Sequence, residues 1–137
     1  MIGSIGTSLT GLESATKKLQ ASASNIANLQ TVGSIEEGGQ APYTPITTVQ
    51  TTITDGQGNG LGVATNYAPK GEPYYSLYSP DSPFANAEGI IGVPNVDLAE
   101  EAVNMQIAKA TYKANVAAIK VAEDMSDELL SIFDKKA

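Results

Sequence analysis

The side chains that carry most enzyme chemistry are scarce in this sequence. It contains no cysteine and no histidine. That removes thiolate nucleophiles, disulfides, zinc or haem ligation through those residues, and the proton shuttle that works near neutral pH. Ser14-Ala15-Thr16-Lys17 matches a Ser-x-x-Lys nucleophile spacing, but no Ser-Asp-Asn or Lys-Thr-Gly accompanies it and the segment reads as an amphipathic surface. The carboxylates Glu36, Glu37, Asp55, Glu72, Asp81 and Glu88 stand in polar or Pro/Gly-rich surroundings where water would solvate them. Glu100-Glu101 and Glu123-Asp124 are adjacent on a helix and so do not face each other as a catalytic dyad. Asp55, Gln57, Asn59 and Gly60 occupy the first, third, fifth and sixth places of a calcium-loop pattern, yet Asn66 stands where a bidentate glutamate is required. A hairpin turn is the better reading. Gly56-Gln57-Gly58-Asn59-Gly60 lacks the following Lys-Ser or Lys-Thr and opens no helix, so it is not a phosphate loop. The expectation is a protein that is not an enzyme, with no cofactor, metal site or small-molecule substrate.

Charge narrows the partners. The formal net charge is −7, with eight lysines and no arginine. Phosphate neutralisation needs a basic face, so no nucleic-acid partner is expected. The N-terminus shows no basic and then apolar leader pattern, and no stretch reaches the roughly 18 to 20 apolar residues of a membrane span. One domain fits 137 residues. Much of the 42 % hydrophobic fraction is alanine, with two Phe and no Trp, so a lone monomer has little large apolar area to bury. Packing against partners is the natural remedy.

The elements that would position such contacts are two helices. Ile2, Ile5, Leu9, Leu12, Thr16, Leu19, Ala23 and Ile26 alternate spacings of three and four, with Ser, Thr, Glu13, Lys17, Lys18 and Gln20 between them. This heptad stripe with a polar back predicts an amphipathic helix over about 4–28. The stripe suits either the chain's own core or a coiled-coil seam. In the second helix, Asp97 can cap the start, with Glu100 reaching back as in a capping box. Met105, Ala108, Tyr112, Asn115, Ile119 and Ala122 keep the same rhythm, widened by Leu98, Ala102 and Val116 and continued by Met125, Leu129 and Ile132. A helix of about 36 residues, near 54 Å, exceeds what so small a domain covers internally. Part of it should need an outside partner.

Between the helices lie all seven prolines and ten of the 13 glycines. Tyr43 to Thr54 reads as a strand, Asp55 to Gly60 as a turn, and Leu61 to Tyr67 as a second strand. Pro69, Pro73, Pro80 and Pro83 predict a loop, and a short extended piece around Gly89 to Val93 is expected to return to the hairpin. Tyr74, Tyr75 and Tyr78 suit either a partner contact or a small satellite core. The expected architecture is mainly α with a small β insertion: long antiparallel terminal helices, coiled-coil-like, flanking a β-hairpin and loop region at one end. The segments are 1–31, 32–94 and 95–137, with the helices together forming one helical domain.

Ala23-Ser24-Asn25-Ile26-Ala27-Asn28 followed by Thr31 resembles the N-terminal signature of bacterial flagellar rod, hook and hook-associated proteins. Pro94-Asn95-Val96-Asp97-Leu98-Ala99-Glu100-Glu101, then Val103-Asn104-Met105, Ala108, Tyr112 and Asn115, is similar to their shared C-terminal motif. The short length, together with Tyr78-x-Pro80, Pro83-Phe84-Ala85 and Gly89, resembles the small proximal-rod (FlgC-like) type of the flagellar basal-body rod family. The resemblance implies a structural subunit of the basal-body rod in the periplasm, exported by the flagellar type III apparatus without a cleaved signal peptide. It implies self-assembly through the terminal helices into a tubular structure that transmits torque for motility. Implied partners are copies of the chain, other rod proteins, the membrane-ring base and the export apparatus. The alternative is a helical adaptor or export-associated protein that binds a single flagellar partner. Expected packing and assembly positions are Ile5, Leu9, Leu12, Leu19, Ala23, Ile26, Leu98, Met105, Ala108, Tyr112, Ile119 and Leu129. The family-motif positions are Ser24, Asn25, Asn28, Thr31, Pro94, Asn95, Val96, Asp97, Glu100, Glu101, Asn104 and Asn115. For Asn25 and Asn28, helix-end hydrogen bonding and a further role both stay open.

Overall fold

Two helices and two small antiparallel sheets make up the fold in the computed structural model, which describes residues 2–134. The outermost residues of the expected terminal segments, Met1 and 135–137, lie outside these. Helix α1 spans Ile2–Ala27 and helix α2 spans Leu98–Asp134. Strands β1 (Ile46–Thr54) and β2 (Gly60–Pro69) form one hairpin, and β3 (Tyr74–Tyr78) pairs with β4 (Ile90–Pro94) in a second sheet. The mainly α architecture with a small β insertion is as the sequence predicts.

The helices run antiparallel. Asn25 bonds Glu101 at one end of the contact, and Gly11 lies against Asn115 further along. A Cβ on Gly11 would sit 2.4 Å from Asn115 Oδ1, so the missing side chain is what lets the helices approach. The buried side of α1 is Ser8, Ala15, Ser22 and Asn25; that of α2 is Glu101, Ala108 and Ala122. Small residues at seven-residue spacing thus form the internal seam, consistent with close approach through Ala and Ser. Each buried alanine methyl contributes only ~0.8 kcal/mol, against roughly 2 kcal/mol for a buried leucine.

This seam is not the stripe predicted for the first helix. The predicted positions, Leu9, Leu12, Thr16, Leu19 and Ala23, sit one residue further on from Ser8, Gly11, Ala15, Lys18 and Ser22. One residue turns a helix by ~100°. The aliphatic stripe is therefore turned out of the internal seam: Leu9 is 54 % exposed, and Leu19, 41 % exposed, lies at the open edge of the helix contact. The physical reason is that α1 carries three faces, and its polar back is occupied too. Thr7 Oγ1 donates to the Leu61 carbonyl at 3.1 Å, Val63 N–H donates to Thr10 Oγ1 at 3.1 Å, and Lys17 Nζ donates to the Thr65 carbonyl at 2.7 Å. Gln50 bonds Ser14, and the Tyr67 hydroxyl donates to Gln20 at 2.6 Å. The hairpin accordingly lies along α1 and is not set at one end of the helix pair, because these polar side chains supply partners for its backbone. Gly62, at φ +144, sits where a Cβ would be 2.3 Å from Thr10 Oγ1; it lies beside a register shift between Ile53 and Thr54.

Two further differences concern the middle of the chain. The predicted proline loop contains β3, since Tyr74 to Tyr78 is a proline-free run with strand-forming residues. The piece around Gly89 to Val93 pairs with β3, not with the β1–β2 hairpin. This second sheet sits where α1 ends and α2 begins. Gly33 bonds Gly92 in both directions at 3.0 and 2.8 Å, and Ile91, Val93, Pro94 and Pro42 are buried there. The first strand also begins at Ile46, later than Tyr43, because Tyr43 and Pro45 are used in packing against the helix end.

Candidate assembly surfaces

Of the family-motif residues, Ser24, Asn25 and Glu101 meet at one junction, with Asn115 further along the helix pair against Gly11. Asn25 is 1 % exposed, and every hydrogen-bonding site on its side chain is used. Its Nδ2 donates to the Ile46 carbonyl at 2.8 Å and to Glu101 Oε1 at 2.7 Å. Its Oδ1 accepts from the Ile46 N–H at 2.9 Å and the Tyr43 hydroxyl at 3.0 Å. An amide has two N–H donors and two lone pairs, so the group is saturated. Tyr43, having donated to Asn25, accepts from the Ser24 hydroxyl at 2.9 Å. One side chain thereby joins α1, the start of β1 and the first turn of α2.

The flanking motif positions frame this junction. Asn28 Nδ2 donates to the Ser24 carbonyl at 2.9 Å and closes the end of α1; Thr31 Oγ1 donates to Asn28 Oδ1 at 3.2 Å. Pro94 is fully buried at the end of β4, Val96 is half-buried, and Asn95 donates to the Glu72 and Pro73 carbonyls at 3.2 and 3.0 Å. Asp97 Oδ1 accepts from the N–H groups of Ala99 at 2.8 Å and Glu100 at 3.3 Å, the predicted cap. Glu100 does not reach back. Its carboxylate instead meets Lys70 Nζ at 2.6 Å, because the β2–β3 connection brings that lysine over the helix start. Glu101, 2 % exposed, lies 3.9 Å from the same ammonium. Asn104 borders a small polar cavity beside Lys18, Ser22 and Lys70. Asn115 turns its amide to the Thr111 carbonyl at 2.9 Å while its side chain covers Gly11. Tyr43, Ile46 and Lys70 are the junction members that sequence reasoning missed; no spacing signal links them to Asn25, since the turns between them set the meeting point.

The residues weighed for chemistry are used structurally. Ser14 bonds Gln50, while Lys17 pairs with Glu13 at 2.8 Å besides bonding Thr65. Asp55 holds its own turn: Oδ1 accepts from Gln57 and Asn59 N–H at 2.9 and 2.8 Å, and Oδ2 from the Asn59 amide at 2.8 Å. The Asn59 side chain and backbone together hold this carboxyl below its ordinary value of 3.8. Among the described residues no group of three or more His, Cys, Asp or Glu is placed to hold a metal ion, and no helix is long and apolar enough to cross a membrane.

The expected packing positions divide into two sets. Ala108 is buried at 2 %, with Met105 half-buried beside it and Ile119 half-buried three turns further along the same side of α2. Ile5, Leu12 and Ile26 are half-buried on the edge of α1, whereas Leu9, Leu19, Ala23, Leu98, Tyr112 and Leu129 are exposed. Between the helices, Ala15, Leu19, Met105, Ala108 and Tyr112 line an open apolar groove of about 590 Å³, with Lys109 and Lys113 beside them. A second stripe escaped the sequence reading. Val103, Ile107, Ala110, Ala114 and Val121 are all exposed on the outer side of α2, at spacings of four, three, four and seven. Those spacings are visible in the sequence, but the Met105–Ala122 stripe on the same helix has the same rhythm, and periodicity alone does not say which face is covered. Tyr74, Tyr75 and Tyr78 are exposed on β3.

Continuing the pairing from Asn25/Glu101 and Gly11/Asn115, the first residue of α1 falls opposite Asp124. The last ten residues of α2 then project about 15 Å beyond α1. Met125, Leu129, Leu130, Ile132 and Phe133 are exposed on that projection.

Residues 87–132 match the family described as flagellar basal body rod FlgEFG protein C-terminal. The flagellar basal-body rod protein FlgC of Salmonella typhimurium is 28 % identical over 123 residues, covering 90 % of both chains. That of Bacillus subtilis is 28 % identical over 143 residues, covering 94 % of this chain and 95 % of the relative. FlgC of Buchnera aphidicola subsp. Acyrthosiphon pisum is 30 % identical over 119 residues, covering 86 % of this chain and 87 % of its own. The chain belongs to the FlgC family of flagellar basal-body rod proteins. The FlgC family is structural and not enzymatic, and its members are components of the flagellar basal body. In this FlgC-family chain the saturated Asn25 junction fixes the helix pair, while the larger aliphatic side chains remain on the outside.

Proposed function

We propose that this chain is a structural subunit of the flagellar basal-body rod, assembling with copies of itself and with other rod proteins through α1 and α2. The carrying observation is an inversion of ordinary packing. The two helices join through Ala, Ser, Gly and Asn, while Leu9, Leu19, Val103, Ile107, Val121 and Leu129 stay in contact with solvent. Exposed apolar stripes at heptad spacing are what a helix presents to another helix. In a closed assembly each buried leucine adds roughly 2 kcal/mol. Repeated over several neighbours, such seams make a stiff tube suited to transmitting torque.

The helices act in this reading as one helical unit, with 32–94 as an appendage that braces α1 and leaves its aliphatic edge free. The periplasmic stretch of the rod, reached through the flagellar export apparatus and built on the membrane-ring base, belongs to the same proposal. Basal bodies fractionated from cells carrying a tagged copy test it. The chain should co-purify with rods, and deletion of its gene should abolish motility; motile deletion cells would refute the role.

A further inference from the structure

The charges on α2 are segregated along its length. Lys109 and Lys113 stand beside the apolar groove between the helices, and Lys120 continues their row one heptad later. Glu123 and Asp124 stand at the base of the projecting end, which itself carries Asp127 and Glu128 together with the exposed Met125, Leu129, Leu130, Ile132 and Phe133. Lys135 and Lys136 follow beyond the described residues and leave the end of the chain net acidic. Among the described residues, neither the three lysines nor the four acids form an ion pair within the chain.

We infer that the projecting end of α2 from one copy seats in the α1/α2 groove of a second copy, its acids facing Lys109 and Lys113. This deepens the rod-subunit reading and rests on it. The lengths agree: the groove runs from Met105 to Lys113 and the exposed apolar run from Met125 to Phe133, each about 12 Å of helix. The chemistry agrees as well. Leu19, Met105 and Tyr112 offer an apolar floor with a basic rim, and the projecting end brings large apolar side chains with an acidic rim. The end and the groove lie on different parts of the molecule, and the end is too far along a continuous helix to fold back onto its own groove. Made in one direction the contact is heterologous and leads from copy to copy; made reciprocally, with the two α2 helices antiparallel, it closes a two-fold dimer.

Charge reversal in the full chain tests the inference by sedimentation velocity. The wild-type chain should self-associate with concentration, and more weakly as salt rises. Lys109→Glu with Lys113→Glu, or Asp127→Lys with Glu128→Lys, should each raise the dissociation constant roughly tenfold or more, because like charges then meet at the rim. Mixing the two variants should restore association, since the acidic groove of one accepts the basic end of the other and the native groove accepts the native end. Circular dichroism of each variant at the wild-type level shows that the fold is kept. A wild-type chain that stays monomeric, or a mixture no stronger than its parts, overturns the inference. If the variants also abolish motility while the wild-type chain stays monomeric, the groove takes another rod protein and the second copy is the wrong occupant. If the variants assemble into working rods, the groove contact fails while the rod role stands.

Discussion

Asn25 is the residue on which the arrangement of the helix ends depends most. Replacement by aspartate keeps its shape but removes both N–H donors and places a second carboxylate against Glu101 and the Ile46 carbonyl. Asn25→Asp should therefore cost about 3 kcal/mol in urea unfolding. Thr65 provides a contrast. Among the described residues its Oγ1 is buried without a partner, while its backbone carbonyl accepts from Lys17. Thr65→Val keeps the shape and the backbone contact and removes an unsatisfied hydroxyl, so it should stabilise the chain by about 1 kcal/mol. Asp55 gives a pH signature. Its folded pKa is depressed, so its support of the turn is present above its ordinary value of 3.8 and fades as pH falls through the lower folded value. An NMR titration of Asp55 should have its midpoint below 3.8, and Asn59→Ala should raise it towards that value. At this scale the sequence showed which residues mattered better than it showed why. Ser24, Asn25, Asn28 and Glu101 stood out as a resemblance. The partners that explain them, Tyr43 and Ile46, are fixed by the path of the chain after α1, and no periodicity reports that path.

Among the elements, the helices were the most legible because hydrophobic spacing and the Asp97 cap act locally. Which face of α1 meets α2 was not legible. Small residues at heptad positions read as polar background beside Leu9, Leu12 and Leu19, although Ser8, Gly11, Ala15 and Ser22 form the tighter contact. The β3–β4 sheet was hidden by flanking prolines that punctuate the strand without interrupting it. The docking of β2 on α1 predicts a sensitive site at Gly62, whose positive φ strains any side chain and whose Cβ position is filled by Thr10. Gly62→Ala should destabilise the protein by about 2 kcal/mol in thermal or urea unfolding. Because the left-handed backbone remains, Thr10→Ala should recover only part of that loss.

For the whole molecule, the decisive feature is a fold that joins its helices through small and polar side chains and leaves its aliphatic stripes outside. Stability and assembly should therefore separate by mutation. Ala108 belongs to the internal seam, so Ala108→Asp buries a charge and should unfold the helix pair together with any assembly. Leu9 and Leu19 belong to the exposed stripe. The most direct measurement compares wild type with Leu9→Asp/Leu19→Asp in a deletion strain, scoring both incorporation into purified basal bodies and urea unfolding of the isolated chain. The account predicts a variant that still unfolds cooperatively, weakened by about 1 kcal/mol through the lower helix propensity of aspartate, absent from basal bodies and with the cells non-motile. A folded variant present in basal bodies at the wild-type level, in swimming cells, would contradict it.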